Sequence, residues 1–182
     1  MTPDVDELAT LAMTAGEGRR LVVLIDGRSG AGKTTLALDL AGVLTQRLGK
    51  PVQSVSLDDV YPGWDGLAAA SAAVPRMLAA ADAGYRRYDW GAGRQTDWVA
   101  LDPHAPIIIE GCGALTPRAA SKATLRIWVD GPEAARRQAV TARDGDVDAW
   151  WDAWAAQEQA HIKSDDPIAL ADVQVSVILR GA

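Results

Sequence analysis

The chain has 182 residues, enough for one domain with a substantial core, and its 48% hydrophobic and 23% charged residues are a globular rather than a disordered composition. A net charge of −6 excludes a broad nucleic-acid-binding surface. The single cysteine, Cys112, cannot form an internal disulfide, and no apolar run is long enough to span a bilayer. The acidic N-terminal segment lacks the basic and apolar parts of a signal peptide, so a cytoplasmic location with no membrane partner is expected.

In chain order, residues 4–15 place Val5, Leu8, Leu11 and Ala12 at helical spacing, and Gly16 and Gly18 end that helix. The apolar run from Leu21 to Ile25 predicts a strand closed by Asp26. A helix is predicted from Lys33 to Leu48, with Leu36, Leu40, Val43, Leu44 and Leu48 as its core stripe and Gly49 at its stop. Val52 to Leu57 predicts a second strand with Asp58 and Asp59 at its end. Residues 65–83 predict one or two alanine-rich helices interrupted by Pro75, and residues 84–106 read as irregular. Pro106 to Glu110 is an apolar strand ending in a carboxylate, and Thr124 to Val129 is another, closed by Asp130. Helices are predicted over Pro132–Arg143 and Val147–Ile162, and a last strand over Val173–Leu179.

Strands apolar on both faces, alternating with helices, demand a parallel sheet covered on both sides. The expected fold class is α/β: a three-layer sandwich with a mostly parallel five-stranded sheet and helices on both faces, forming one domain over residues 1–182. Ligands of such sheets sit beyond the carboxyl ends of the strands. Asp26, Asp58, Asp59, Glu110 and Asp130 all fall at that edge.

Between the first strand and its helix stands Gly27-Arg28-Ser29-Gly30-Ala31-Gly32-Lys33-Thr34-Thr35, which satisfies the phosphate-loop pattern GxxxxGK[ST]. Glycines there let successive N–H groups turn inward toward an anion, and the helix beginning near Lys33 adds the positive end of its dipole. Residues 27–35 are therefore expected to bind a nucleoside triphosphate, with Lys33 on the outer phosphates and the Thr34 hydroxyl on Mg²⁺. The alternative is a glycine-rich turn followed by a chance Lys-Thr.

Other residues fit phosphoryl transfer, which needs a metal, a positioned nucleophile and neutralised charge. Asp58 is placed to orient or deprotonate an attacking hydroxyl, or to help hold Mg²⁺; Asp58 and Asp59 also suit a helix N-cap. Glu110 at its strand tip can reach a metal. Arg136, Arg137 and Arg143 follow the strand ending at Asp130, and arginines on a mobile cover could neutralise transferred charge; solvated surface is the other reading, favoured for Arg137. Tyr85-Arg-Arg-Tyr88-Asp-Trp90 is an aromatic and basic cluster suited to a flat ring or a sugar, or to anchoring a loop. Trp150, Trp151 and Trp154 are read as core or lid packing. His104 and His161 are isolated and show no metal-ligand spacing or Ser-His-Asp grouping.

These motifs resemble the uridine kinase family within the P-loop small-molecule kinases. DGRSGAGKTT is similar to its loop, SLDDVY (residues 56–61) to its strand-end Asp-x-x-Tyr segment, Tyr88-Asp89-Trp90 to its YDF segment and Ile109-Glu110-Gly111 to its EG strand end. Trp128-Val-Asp130 with Arg136 and Arg143-Asp144 matches its lid spacing, and Pro167 with Ala171-Asp172-Val173 its P…ADV stretch. The resemblance implies a P-loop NTPase fold, ATP and Mg²⁺ as cofactors, and a small hydroxylated acceptor. It implies Asp58 as catalytic base, Lys33 and Arg143 as phosphate-facing catalytic residues, and Thr34 with Glu110 at the metal. It also implies an acceptor pocket of Asp58, Tyr61, Tyr88, Trp90 and Arg94, with a lid over about residues 132–165. A nucleoside is the expected acceptor, with a sugar acid or another metabolite as the alternative, and a non-catalytic ATP-binding switch as the rival. The lid is acidic from Asp144 to Asp148 where the family is arginine-rich, and the segment between Tyr61 and Tyr85 lacks the family's Asn-x-Asp-His-Pro.

Overall fold

The structure, a computed structural model, describes residues 3–176. Asp4 accepts the Glu7 N–H at 2.8 Å while Glu7 accepts the Asp4 N–H at 3.0 Å, a reciprocal cap that starts helix α1 (Val5–Ala15). Strand β1 (Val22–Gly27), helix α2 (Lys33–Leu48) and strand β2 (Gln53–Ser56) follow. A 3-10 turn (Leu57–Asp59) leads to helix α3 (Leu67–Met77), strands β3 (Gly84–Asp89), β4 (Arg94–Ala100) and β5 (Ile107–Glu110), and helix α4 (Pro117–Ala120). Strand β6 (Leu125–Asp130), helices α5 (Glu133–Asp144), α6 (Trp151–Asp165) and α7 (Pro167–Leu170), and strand β7 (Val173–Ser176) complete the described chain. The part of the predicted last strand beyond Ser176 lies outside the described residues.

Five strands form one parallel sheet in the order β2-β5-β1-β6-β7, with Val23 of β1 opposite Ile108 on one side and Leu125 on the other. Side chains alternate across a strand, which splits the apolar residues into two cores. Val23, Ile25, Ile108 and Ile127 pack against Leu8 of α1 and Leu40 and Leu44 of α2. Val22, Leu24, Ile107 and Ile109 pack on the opposite face with Val74 and Met77 of α3, Leu115 before α4, and Trp154 of α6. This is the expected helix–sheet–helix sandwich, and each fully buried aliphatic side chain contributes about 1.5–3 kcal/mol. No described helix is long and apolar enough to cross a membrane.

Three details differ from expectation. Residues 84–100 are not irregular: β3 and β4 form an antiparallel hairpin, with Gly84 opposite Ala100 and Asp89 opposite Arg94. Most of its side chains are exposed or half-buried, so no apolar alternation marks it. Pro75 does not split α3, because it sits in the last turn and the helix ends at Met77. The tryptophan-rich helix begins at Trp151 rather than Val147; Trp150 and Trp151 both donate their N–H to the Val147 carbonyl in the turn before it.

The sheet order reverses at β1: from β1 the chain passes to β2 on one side, and from β5 to β6 on the other. The crevice beyond the carboxyl end of β1 is therefore the place where an α/β sheet holds a ligand.

Candidate functional site

The loop between β1 and α2 is shaped by backbone close approach. Gly30 has φ +77° and Gly32 φ +89°, and a Cβ on Gly30 would lie 2.2 Å from the Arg136 carbonyl oxygen, so only glycine fits there. The N–H groups of Gly30 and Gly32 find no acceptor among the described residues. They adjoin a cavity of about 340 Å³, lined in part by Gly30, Gly32, Lys33, Thr34 and Thr35. Unpaired donors beside the start of a 16-residue helix suit an anion. Other loop positions hold the loop itself: Ala31 is buried and donates its N–H to the Arg28 carbonyl, and the Arg28 side chain lies along Gln159 and Asp130.

Lys33 is buried, and its ammonium donates to the Arg28 carbonyl at 2.9 Å and to the Cys112 sulfur at 3.4 Å. Burial acts to lower its pKa, but the Cys112 sulfur once ionised and the carboxylates of Glu110, Glu158 and Asp26 raise it above the ordinary value, so it stays charged. Burial pushes the Cys112 thiol up to about 12 against the opposing pull of Lys33, so it is a neutral thiol near pH 7. Across the cavity, the Thr34 hydroxyl donates to Glu110 at 3.2 Å. Burial raises the Glu110 pKa, with the Lys33 charge opposing and Asp58 adding to the rise. A hydroxyl and a buried carboxylate in contact, next to an anion cradle, fit Mg²⁺, which takes one or two protein oxygens and completes its shell with phosphate and water. No cluster of three or more metal-ligating side chains occurs among the described residues.

Asp58 sits in the 3-10 turn after β2, its N–H donating to the Ser56 hydroxyl, and it lines both this cavity and a second one of about 600 Å³. The second cavity is walled by Tyr61, Trp64, Trp90, Trp150 and Trp154. Trp64 stacks on Trp150 with ring centres 4.7 Å apart and meets Trp90 at 4.9 Å, so the loop before α3, the hairpin and the segment before α6 join through indoles. Tyr61 is buried, donates its hydroxyl to the Cys112 carbonyl at 2.9 Å and meets Trp154 edge-on. Trp90 donates its ring N–H to the Asp58 carbonyl at 2.9 Å, which ties the hairpin to the strand tip.

The three arginines divide. Arg143, in the last turn of α5, lines both cavities and is doubly hydrogen-bonded to Asp144 at 2.6 and 2.7 Å, a pairing that raises its pKa further. Arg137 pairs with exposed Asp148 at the surface. Arg136 is buried; it donates to the carbonyls of Ser29 and Gly131, each at 3.0 Å, and so clamps the phosphate loop to the strap after β6.

The structure also assembles groups that the sequence left scattered. Asp26 is fully buried and accepts the N–H groups of Gly27, Gly113 and Leu115. His161 of α6, expected to be isolated, lies between Asp26 at 2.9 Å and Asp165 at 3.0 Å. One turn earlier, buried Glu158 accepts the Ser29 N–H at 2.7 Å. Thus α6 grips the phosphate loop and its root through Glu158, Gln159 and His161. The only sequence signal was the i, i+3 spacing of Glu158 and His161 within a helix, which an exposed face shows as readily.

Of the sequence-derived site residues, the structure brings Ser29, Gly30, Gly32, Lys33, Thr34, Thr35, Asp58, Tyr61, Trp90, Glu110 and Arg143 to the two adjoining cavities. Two fall outside. Arg94 is exposed at the start of β4, paired in register with Asp89, because the hairpin carries it away from the pocket. Tyr88 does not line the cavity but supports Trp90 edge-on at 5.2 Å. Asp59 faces the hairpin, 3.8 Å from Arg87. Trp64, Trp150 and Trp154 wall the cavity, whereas Trp64 carried no expectation and the other two were read as packing.

No protein-family model matches the chain, and no curated protein matches it in sequence. Solved structures share its fold. A candidate uridine kinase from Bacillus stearothermophilus has a TM-score of 0.66 at 24% identity, over 94% of this chain and 96% of that one. A candidate fructose transport system kinase from Silicibacter has a TM-score of 0.62 at 20% identity, over 94% and 98%. A candidate P-loop containing kinase with a circular permutation, from Saccharomyces cerevisiae, has 0.61 at 11% identity, over 96% and 99%. The chain therefore has a P-loop kinase fold, and resembles uridine kinase-like P-loop kinases in architecture over nearly its whole length.

Proposed function

We propose that this protein is an ATP-dependent phosphotransferase that moves a γ-phosphoryl group to the hydroxyl of a small molecule. The observation that carries the reading is that the anion cradle and the aromatic cavity adjoin and share Ser29, Asp58 and Arg143. An acceptor in the second cavity thus meets a phosphate in the first at a carboxylate and a guanidinium. Loop N–H groups and Lys33 hold the triphosphate and offset the charge that spreads over the transferred group. Thr34 and Glu110 would hold Mg²⁺, which supplies charge neutralisation between the outer phosphates. Asp58 accepts the acceptor's hydroxyl proton as its oxygen bonds to the γ-phosphorus, while the bond to the bridging oxygen breaks and ADP leaves. Arg143 covers the phosphates. A nucleoside acceptor rests on the sequence resemblance alone.

ADP release is the test, measured over nucleosides, sugars and small hydroxylated metabolites, with Lys33→Ala as the blank. Acceptor-stimulated release in the unaltered protein, absent from the blank, is expected. ATP binding with no acceptor-stimulated release across the panel would favour a nucleotide-binding switch instead.

A further inference from the structure

We propose that the acceptor is an alcohol carrying an ammonium group, selected by the indole walls and the negative charge of the 600 Å³ cavity. This rests on the kinase reading above and names its substrate class by elimination.

An anionic acceptor finds one cation, and that one is already charge-paired. Among the described residues Arg143 is the only basic side chain lining the cavity, and its Nε and one Nη donate to Asp144, which offsets its charge. Asp58 adds a second carboxylate, so the lining carries two carboxylates against one guanidinium, and a triphosphate next door adds more negative charge. A phosphate or carboxylate on the acceptor would be repelled from both sides.

A nucleobase finds little to read its edge. Among the described residues, Ser29 is the only side chain with a hydroxyl or amide in the lining apart from Tyr61. The Tyr61 hydroxyl is committed to the Cys112 carbonyl and the Trp90 N–H to the Asp58 carbonyl, which leaves indole N–H groups, the buried and unpartnered one of Trp154 among them, as donors with no amide beside them. A site that discriminates a base does so through polar groups left to pair with it.

What remains is aromatic surface with an acidic end. Tryptophan is the strongest side-chain partner for a cation over its ring, and four indoles line this one cavity. Trp64 and Trp90 are 50% and 41% exposed, so ring surface is free for a ligand rather than sealed in the core. Asp65 follows Trp64 directly and Asp146 stands two residues past Asp144, both exposed, which adds negative potential to the two segments that meet through Trp64 and Trp150. Such an acceptor places its hydroxyl at Asp58 and its ammonium against the indoles.

The experiment uses matched pairs that differ in charge: choline against 3,3-dimethylbutan-1-ol, and glucosamine against glucose. Uridine and gluconate represent the excluded classes. Each is titrated into the full chain loaded with Mg²⁺ and a non-hydrolysable ATP analogue, read by tryptophan fluorescence and calorimetry. The cationic member of a pair should bind about tenfold tighter than its neutral partner, and added salt should weaken it. Trp64→Leu should lose about the same factor for the cation, while Trp64→Phe keeps most of it and both retain ATP-analogue affinity. Equal or tighter binding of the neutral members, tighter binding of uridine or gluconate than of both cations, no binding of either cation, or an unaltered cation affinity in Trp64→Leu would each overturn the proposal. Binding is read without turnover, so the two readings fail separately. A neutral alcohol that stimulates ADP release leaves the kinase standing and removes the cation. A cation that binds without ADP release does the reverse.

Discussion

His161 Nε2 lies 2.9 Å from Asp26 at the root of the phosphate loop, while its Nδ1 lies 3.0 Å from Asp165 on its own helix. Both ring nitrogens face carboxylates, which favours the doubly protonated ring that can donate to each. Burial acts to lower the His161 pKa, but its bonds to Asp26 and Asp165 and their charge raise it above the ordinary 6.5. A histidine pKa raised on folding contributes stability that is complete below the unfolded value and lost as pH climbs through the folded one. The thermal midpoint should therefore fall as pH rises from about 6 toward 9, and fall less steeply in His161→Gln. Identical slopes in scanning fluorimetry would dismiss the ion pair.

Asp58→Asn keeps the shape of the strand tip and removes the proton acceptor. Turnover should drop by roughly 10²–10⁴-fold. ATP affinity should barely change, since the cradle is built from other residues. Unaltered kcat in a steady-state assay would rule out the role assigned to Asp58.

Glu110→Gln keeps a hydrogen-bond partner for Thr34 but lowers the attraction for a divalent cation. The Mg²⁺ concentration for half-maximal turnover should rise by about tenfold or more, with metal-free nucleotide binding preserved. Because burial raises the Glu110 pKa above 4.5, the unaltered protein should gain Mg²⁺ affinity as pH rises through that raised value, where the carboxylate ionises. The variant should lack this dependence. Metal titrations at several pH values decide it.

Gly30→Ala puts a Cβ 2.2 Å from the Arg136 carbonyl at a backbone φ of +77°. The left-handed conformation alone costs about 1 kcal/mol, and displacing the buried Arg136 segment costs more. A chain of this length should lose several degrees of thermal midpoint and most of its ATP affinity together. A fully stable variant with intact binding would mean that the loop does not hold this close approach.

Arg136→Ala leaves the Ser29 and Gly131 carbonyls without their donor in a buried setting. Loss of about 2–4 kcal/mol of unfolding free energy is expected, measured by denaturant titration. The KM for ATP should rise as the loop loosens, and Arg137→Ala, at the surface, should change neither.

The sheet and its flanking helices were legible because burial on both faces of a strand imposes an unbroken apolar run, as in Ile107 to Ile109, and the stripe of α2 repeats at helical spacing. The hairpin at residues 84–100 was not, since strands exposed on both faces carry no such pattern. Arg94 was misplaced for the same reason: without the hairpin, nearness in sequence to Tyr88 and Trp90 stood in for nearness in space.

Consecutive residues made the phosphate-loop pattern from Gly27 to Thr35 legible along the chain. Glu110 at the end of β5 and Asp58 in the turn after β2 reach the cavity beside that loop because their strands are neighbours in one parallel sheet. Only the tertiary structure decided what stands opposite. Trp64, Trp90, Trp150 and Trp154 come from three separated segments, and Asp26 meets His161 from 135 residues away. Such groupings depend on how helices and loops pack over the sheet, where many sequences give the same elements and the close contacts of the interior select one arrangement.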